Sequence, residues 1–300
     1  MLRVLSAIGM SQYTAQQAID GYVSDLLMKD RLRGQHFLRD GVVHVELLKD
    51  MGPFQLIMRG TLEPDHFIRI AMICPAIKEK RGYEFVECEV REDTLDDLYM
   101  YGQERNTLEG ICFRITEVHR FFKEKTLFEK EKNYVSCYGL SFEGKVILGI
   151  DRSEDDIAAI EEVEENRRRL LSRVMEGDES AINQMQTEEE QTQQEIEERL
   201  RNEDVYSIFD GFLYPVENDR ENYYTVLGDI LYVDKLMNSV TEEWVYYLEL
   251  NVLGQILRVC INPRDLLGEP KPGYRFMGRV WFFGRIDPAR QILEDLHGFY

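Results

Sequence analysis

One strand near the C-terminal end of the chain alternates arginine with aromatic residues. In extended backbone alternate residues share a face, and the residues that would share this one are Arg275, Arg279, Trp281, Phe283 and Arg285. Cations interleaved with rings could neutralise phosphates and stack bases, as proteins that bind single-stranded nucleic acid do. Alternatively, the arginines pair with acids on neighbouring strands, such as Glu243 and Glu249, while the rings pack against the rest of the protein.

The net charge disfavours the nucleic-acid interpretation. The chain of 300 residues carries 36 Lys and Arg against 56 Asp and Glu, a formal net charge of −20. A strongly acidic protein repels nucleic acid and anionic membrane surfaces unless it segregates its charge. We therefore expect ion pairs on this strand, and keep single-stranded nucleic acid or a nucleotide as the alternative ligand.

More than half of the excess negative charge lies in the middle of the chain, where residues 151–204 hold 7 basic and 19 acidic side chains. Ser153 followed by acids is typical of a helix N-terminus. One helical face would carry Ile160, Val163, Leu170 and Val174. This stripe predicts either an arm for a protein partner or for self-association, or a solvated linker.

A partial phosphate-loop motif runs from Gly139 to Lys145, but Val146 follows where a Ser or Thr would bind magnesium. Strand-like patterns flank it on both sides, whereas a phosphate loop joins a strand to a helix. We therefore predict a β-hairpin with its turn at Glu143-Gly144.

No spacing in the chain is typical of a metal, cofactor or catalytic site. The five histidines never stand three or four residues apart, and the five cysteines form no C-x-x-C pair. Cys74 lies in an apolar run and is expected in the core. The sequence thus predicts no catalytic residue, no metal and no cofactor, although an enzyme site assembled around His36 and His44 stays open.

Hydrophobic periodicity predicts an α+β fold with three parts. Residues 1–152 would form an antiparallel sheet domain with an amphipathic helix that follows a capping box at Thr14 and Gln17. Residues 153–203 would form the acidic helical connector, and 204–300 an OB-like β-barrel domain. A strand-strand-hairpin order recurs about 110 residues apart, which indicates either duplication or a shared hairpin pattern.

Compartment can be predicted from the cysteines and from the apolar runs. An odd number of separated cysteines favours a reducing cytoplasm. The apolar stretch within residues 1–10 is too short for a secretion signal, and no run approaches the roughly 18 apolar residues of a membrane span.

Both ends of the chain resemble one family. Residues 259–262 and 265–270, then Gly273, Arg275, Phe276, Gly278 and Trp281, are similar to the ending of a clostridial family catalogued as domain of unknown function 3881. Residues 5–10 are similar to its start, with Met10 where Phe is expected. The resemblance implies an intracellular bacterial protein and supplies no catalytic residues.

Taken together, these patterns predict a cytoplasmic, non-catalytic interaction protein. The expected contact surfaces are the connector and the strand face at 275–285. The rival interpretations are the nucleic-acid-binding module and the enzyme with a dispersed site.

Overall fold

A computed structural model of the protein describes most of both halves of the chain and short stretches of its middle. The described residues are 2–30, 32–65, 67–78, 83–94, 97–104, 110–123, 133–149, 166, 169–170, 172–174, 178–185, 211–216 and 221–287.

Strands dominate the described residues. Two helices are described from end to end, α1 (Gln16–Lys29) and α2 (Val118–Lys123), with 3-10 turns at Leu2–Ile8, Ser11–Tyr13 and Pro263–Asp265; further helical residues occur at 166, 169–170, 172–174 and 179–185. The strands are β1 (Arg33–Arg39), β2 (Val42–Met51), β3 (Phe54–Leu62), β4 (Ile68–Ile77), β5 (Tyr83–Thr94), β6 (Asp97–Glu104), β7 (Gly110–Ile115), β8 (Asn133–Ile147), β9 (Phe212–Pro215), β10 (Tyr223–Met237), β11 (Trp244–Val252), β12 (Gln255–Ile261), β13 (Leu266–Leu267) and β14 (Arg275–Asp287).

The first four strands form an antiparallel sheet in the order β1-β2-β3-β4, and α1 precedes it in the chain. The ladder between β3 and β4 is irregular at Gly60. A Cβ on Gly60 would lie 1.8 Å from the carbonyl oxygen of Arg69, so only glycine allows this approach of the two backbones. The predicted N-terminal antiparallel sheet is confirmed.

A closed five-stranded barrel forms the C-terminal part, in the order β10-β11-β12-β8-β14 and back to β10. β12 runs parallel to β8, and the other neighbours are antiparallel. The predicted C-terminal barrel is thus confirmed, but one of its five strands, β8, comes from the N-terminal half of the chain. Continuous pairing therefore crosses the predicted domain boundary at residue 152.

A second closed cycle of pairing, β5-β6-β7-β14-β8, uses the same two long strands. Each cycle joins a three-stranded meander to β8 and β14, and in each the third meander strand runs parallel to one of them. The equivalent strands β8 and β14 begin at Asn133 and Arg275, 142 residues apart. This equivalence differs from the recurrence of about 110 residues noted in the sequence, because it relates β7 to β12 and β8 to β14.

Two apolar cores follow from this arrangement. The first contains inward-facing barrel residues, among them Val226, Leu248 and Phe276. The second joins the N-terminal turns, α1 and the first sheet to outward-facing barrel residues, among them Tyr138 and Trp281. The barrel strands are therefore buried on both faces.

The predicted hairpin turn at Glu143-Gly144 is wrong, because β8 continues through it from Asn133 to Ile147. Gly144 faces Gly278 of β14, and a Cβ there would lie 2.6 Å from the ring of Phe276. This glycine provides room for a ring inside the barrel rather than a turn. A continuous strand also excludes the phosphate-loop interpretation.

The helix start is also corrected. α1 begins at Gln16 with Ala15 as its N-cap, and no side chain caps it. Thr14 instead donates a hydrogen bond to the carbonyl of Ser11 at 3.2 Å. The 3-10 turn at Ser11–Tyr13 therefore uses the side chain that was expected to cap the helix. Within the described part of the chain, no helix combines the length and apolar character that a membrane crossing requires.

Candidate functional site

The three arginines of the β14 face are paired with acids of neighbouring segments. Arg275 is buried, with its Nε 3.4 Å from Asp229 on β10. Arg279 is half exposed and lies 3.3 Å from Glu143 on β8. Arg285 lies 3.5 Å from Glu117. The partners differ from the acids suggested by the sequence.

The two rings of this face are buried. Trp281 stacks on Tyr223 with 4.6 Å between ring centroids, and Phe283 stacks on Tyr138 at 6.2 Å. Both belong to the core beneath the N-terminal turns and the first sheet. The structure therefore does not bring the five predicted side chains together on one exposed surface.

The stripe predicted in the connector is only partly within the described residues. Leu170 is buried and Val174 is half-buried, whereas Ile160 and Val163 lie outside the described residues. Helical residues occur on both sides of Asp178, whose carboxylate accepts a hydrogen bond from the backbone N–H of Ser180 at 2.9 Å.

His36 and His44 lie on opposite faces of the first sheet. In the ladder between β1 and β2, His44 is opposite Phe37, so the side chain of His36 points the other way. His44 is buried and stacks on Phe37 at 5.0 Å. No group of three or more metal-ligating residues occurs among the described residues. The two histidines therefore do not form one site.

The buried thiols are poor nucleophiles. Cys74 is fully buried, as predicted, and burial raises the pKa of its thiol. Burial also raises the pKa of Cys112 to about 12. Since the thiolate is the reactive form, neither cysteine is suited to nucleophilic chemistry near neutral pH.

One buried ion pair within the first sheet also connects that sheet to the end of β7. Arg59 Nε on β3 donates to Glu46 Oε2 on β2 at 3.0 Å, and both side chains are almost fully buried. Arg59 Nη2 also donates to the carbonyl oxygens of Ile115 and Thr116 at 2.8 and 2.6 Å. Burial raises the pKa of Glu46, although the charge of Arg59 acts in the opposite direction.

The sequence reasoning did not select this pair. Each residue is a lone charge between apolar neighbours in a strand: Glu46 follows Val45, and Arg59 follows Met58. A single charged residue within an apolar strand segment is the sequence feature that could have indicated this pair, because a charge on a buried strand needs a partner.

A groove of about 1020 Å³ runs between β4 and α1. On one side it is lined by the consecutive residues from Phe67 to Ile73. Because strand side chains alternate between two faces, a groove that touches every residue follows the edge of the strand. Among the described strands β4 pairs only with β3, so its outer backbone groups border the groove without a strand partner.

The opposite wall is one face of α1. The helix residues that line the groove are Gln16, Asp20, Val23, Ser24 and Leu27. Spacings of three and four residues place them on one side of the helix. Arg114 and Asp97 add a buried ion pair with 2.5 Å contacts, and exposed Arg3 lines the groove as well.

A second groove of about 630 Å³ follows β1, from Gly34 to Arg39, beside His119 and Phe122 of the short helix α2. The guanidinium of Arg39 lies 4.5 Å from the ring centroid of Phe122 and pairs with Glu92 at 2.7 Å. These contacts place the side chains of Arg39 and Phe122 at one end of the β1 groove. By volume, the β4 groove is the larger of the two grooves that follow a strand edge.

The family model described as "Domain of unknown function, E. rectale Gene description (DUF3881)" matches residues 5–284. The chain belongs to this family. Both segments of family resemblance, at residues 5–10 and 259–281, lie inside the match. No curated protein and no solved structure matches the chain. In this DUF3881 chain the β1 groove and the Glu46–Arg59 pair lie within the matched residues, as does the β4 groove apart from Leu2 and Arg3.

Proposed function

We propose that this protein is a non-catalytic binding protein that takes up an extended segment of a partner protein in the groove between β4 and α1. The single observation that carries the proposal is the run of consecutive residues 67–73 lining that groove along an unpaired strand edge. An extended peptide can add to such an edge as a further strand, with backbone hydrogen bonds giving affinity.

The helix wall supplies specificity. In β-strand addition, alternate side chains of the peptide point towards and away from the domain. Those pointing inward would meet the half-buried Leu27 and the buried Val23, while Ser24 and Asp20 lie at the exposed side of the groove. The partner segment would therefore carry alternating aliphatic side chains.

Charge would determine which residue of the partner segment lies at the end of the groove near the N-terminal turns. Arg3 is exposed and lines the groove, and it forms no ion pair with any described residue. Arg69, by contrast, is paired with Glu63 at 3.1 Å. An acidic residue of the partner beside Arg3 would complete the charge complementarity at this end.

Site-specific photo-crosslinking tests the proposal. A photoreactive amino acid at Ser24, which lines the groove, should capture a partner segment from an extract of the native cells. The same group at Asp25, exposed on another side of α1, is the matched control. Mass spectrometry of the crosslinked peptide then gives the sequence of the captured segment.

The outcomes are separable. Capture from position 24 but not 25 of a segment with alternating aliphatic residues supports the proposal. Equal capture from both positions, or none from either, contradicts it. Capture of a second copy of this chain would replace partner binding with self-association through the β4 edge.

Three finer features belong to the proposal. Residues 153–203 would form an acidic helical connector, supported by helical residues on both sides of Asp178. The barrel would be OB-like, supported by its five closed strands. The protein would work in the cytoplasm, supported by its five free cysteines, four of which are buried.

A further inference from the structure

A separate cavity of about 330 Å³ lies between the first sheet and the strands β8 and β14. Glu46 and Gln55 line it from the sheet, while Ser136, Tyr138 and Arg285 line it from the barrel. Its volume falls in the range of sites for small ligands, which often lie between structural units. Most of its lining is polar, which favours a hydrophilic ligand over a lipid.

Cations outnumber acids around this cavity. Arg33, Lys78 and Arg285 line it, against Glu46 and Glu117. Arg285 is matched by Glu117 at 3.5 Å, and Lys78 lies 2.8 Å from Asp50, which is exposed to solvent. Glu46 is matched by Arg59.

Arg33 is the remaining cation, and together with the closer Lys78 it lowers the pKa of Asp50. It is exposed at the start of β1 and has no ion-pair partner among the described residues. Its guanidinium presents a planar set of donors suited to a carboxylate or phosphate. An anionic group entering beside Arg33 and Lys78 would meet two cations that share a single nearby carboxylate, the exposed Asp50.

Tyr138 lies at the buried end of this cavity. Its side chain is about 2% exposed. Its hydroxyl lies beside Ile77 and Thr116, which also line the cavity, without a hydrogen bond of ordinary geometry. Burial raises the pKa of Tyr138 well above its usual value, so the hydroxyl remains a neutral donor and acceptor. A buried hydroxyl whose neighbours are poorly aligned for hydrogen bonding is costly, and a ligand hydroxyl that reaches it would give it a well-aligned partner.

We propose that this cavity binds a small hydroxylated anion, with its carboxylate or phosphate held by Arg33 and Lys78 and a hydroxyl bonded to Tyr138. Gln55, Thr116 and Ser136 would bond further ligand hydroxyls. This site is separate from the β4 groove, since none of its lining residues lines that groove.

Isothermal titration with defined probes tests the site in the full chain. The probes are ribose 5-phosphate, gluconate and inorganic phosphate, which separate a phosphate ester, a hydroxylated carboxylate and the bare anion. At least one of the first two should bind about tenfold more tightly than inorganic phosphate, because only they carry hydroxyl groups that can bond to Tyr138. Which of the two binds more tightly identifies the anionic group.

Variants assign the binding to this cavity. Arg33→Gln should weaken binding of the tighter probe at least about tenfold, and Tyr138→Phe should weaken that probe but not inorganic phosphate. Arg91→Gln, an exposed arginine outside both the cavity and the β4 groove, is the matched control and should bind like the wild type. Both Arg33 and Arg91 are exposed, so folding is preserved in either variant.

Two results would overturn the site. One is the absence of saturable binding of both hydroxylated probes up to about 10 mM. The other is binding that Arg33→Gln and Arg91→Gln weaken equally, which would indicate general attraction of anions to surface arginines. Neither result bears on peptide capture in the β4 groove.

Discussion

Gly144 of β8 lies directly opposite Gly278 of β14, and the ring of Phe276 occupies the space beside both. A Cβ on Gly144 would lie 2.6 Å from that ring, and a Cβ on Gly278 would lie 2.5 Å from it. The two strands belong to both closed cycles of pairing. The two glycines therefore leave the space between these strands that the ring of Phe276 occupies.

Adding a methyl group at this contact should destabilise the protein. We expect Gly144→Ala to lower the free energy of unfolding by about 1–3 kcal/mol, because the ring of Phe276 and the side chain of Ile261 must shift. Gly21→Ala, on α1 with nothing within 4 Å of the added Cβ, is the control and should raise stability by about 0.5–1 kcal/mol. Urea unfolding measures both, and a neutral Gly144→Ala would contradict the packing described.

This glycine also explains why part of the fold was missed from the sequence. Glu143-Gly144 between two strand-like runs is a typical turn pattern, and the similar pair Leu253-Gly254 does form a turn between β11 and β12. There both residues have positive φ, of 53° and 82°, as a tight turn requires. Gly144 instead makes room for a ring of a strand more than 130 residues away in sequence, which no local pattern reports.

Trp281 should matter for stability rather than for binding nucleic acid. We expect Trp281→Ala to lower the free energy of unfolding by about 3–5 kcal/mol, because it leaves a cavity beside Tyr223 in a buried core. Arg279→Ala, on the same strand but half exposed, should change it by less than about 1 kcal/mol. Binding of a labelled single strand that depends on salt and is lost in Arg279→Ala would contradict this account.

Substitutions of Glu46 and Arg59 should have non-additive effects on the free energy of unfolding. Arg59→Met should cost about 3–5 kcal/mol, because it leaves a buried carboxylate without its partner. Adding Glu46→Gln should recover much of that loss, since the amide carries no charge to bury. A thermodynamic cycle of the two single variants and the double variant measures the coupling. Additive effects would show that the two side chains act independently.

Stability should also depend on pH through Glu46. Burial raises its pKa in the folded protein, so between the unfolded and folded pKa values the folded state holds a proton that the unfolded chain has released. Wild-type stability therefore falls as pH rises through this interval, relative to Glu46→Gln. Urea unfolding of both proteins across pH 4–9 measures the difference. A wild type that gains stability relative to Glu46→Gln with rising pH would contradict the raised pKa.

Because β8 and β14 pair with each other, we expect the two halves of the chain to stay together after the chain is cleaved between them. A protease site inserted within residues 188–200 would separate β8 from β14 covalently, but their ladder runs from Tyr134 to Ile147 on β8. We expect the cleaved chain to elute as one species in size-exclusion chromatography. Elution of two separate folded fragments would favour independent domains at 1–152 and 204–300.

Some elements could be predicted and others could not, for physical reasons. β11 and β12 can be recognised in the sequence because their alternating residues are bounded by clear turns. β1 is an edge strand with a weak apolar pattern and β6 lies in an acidic segment, so the sequence does not clearly indicate either strand. The β4 groove depends on packing between α1 and a sheet edge, which the sequence does not display.

Backbone pairing in the β4 groove is the central claim, and N-methylation of the captured peptide tests it most directly. The segment identified by crosslinking from Ser24 is synthesised as a series, each peptide methylated at one backbone nitrogen, and the affinity of each is measured by fluorescence anisotropy. In an added strand every second N–H points towards the protein. We predict that methylation at alternate positions weakens binding at least about tenfold while the intervening positions have little effect. A uniform effect, or none at any position, would contradict strand addition at β4.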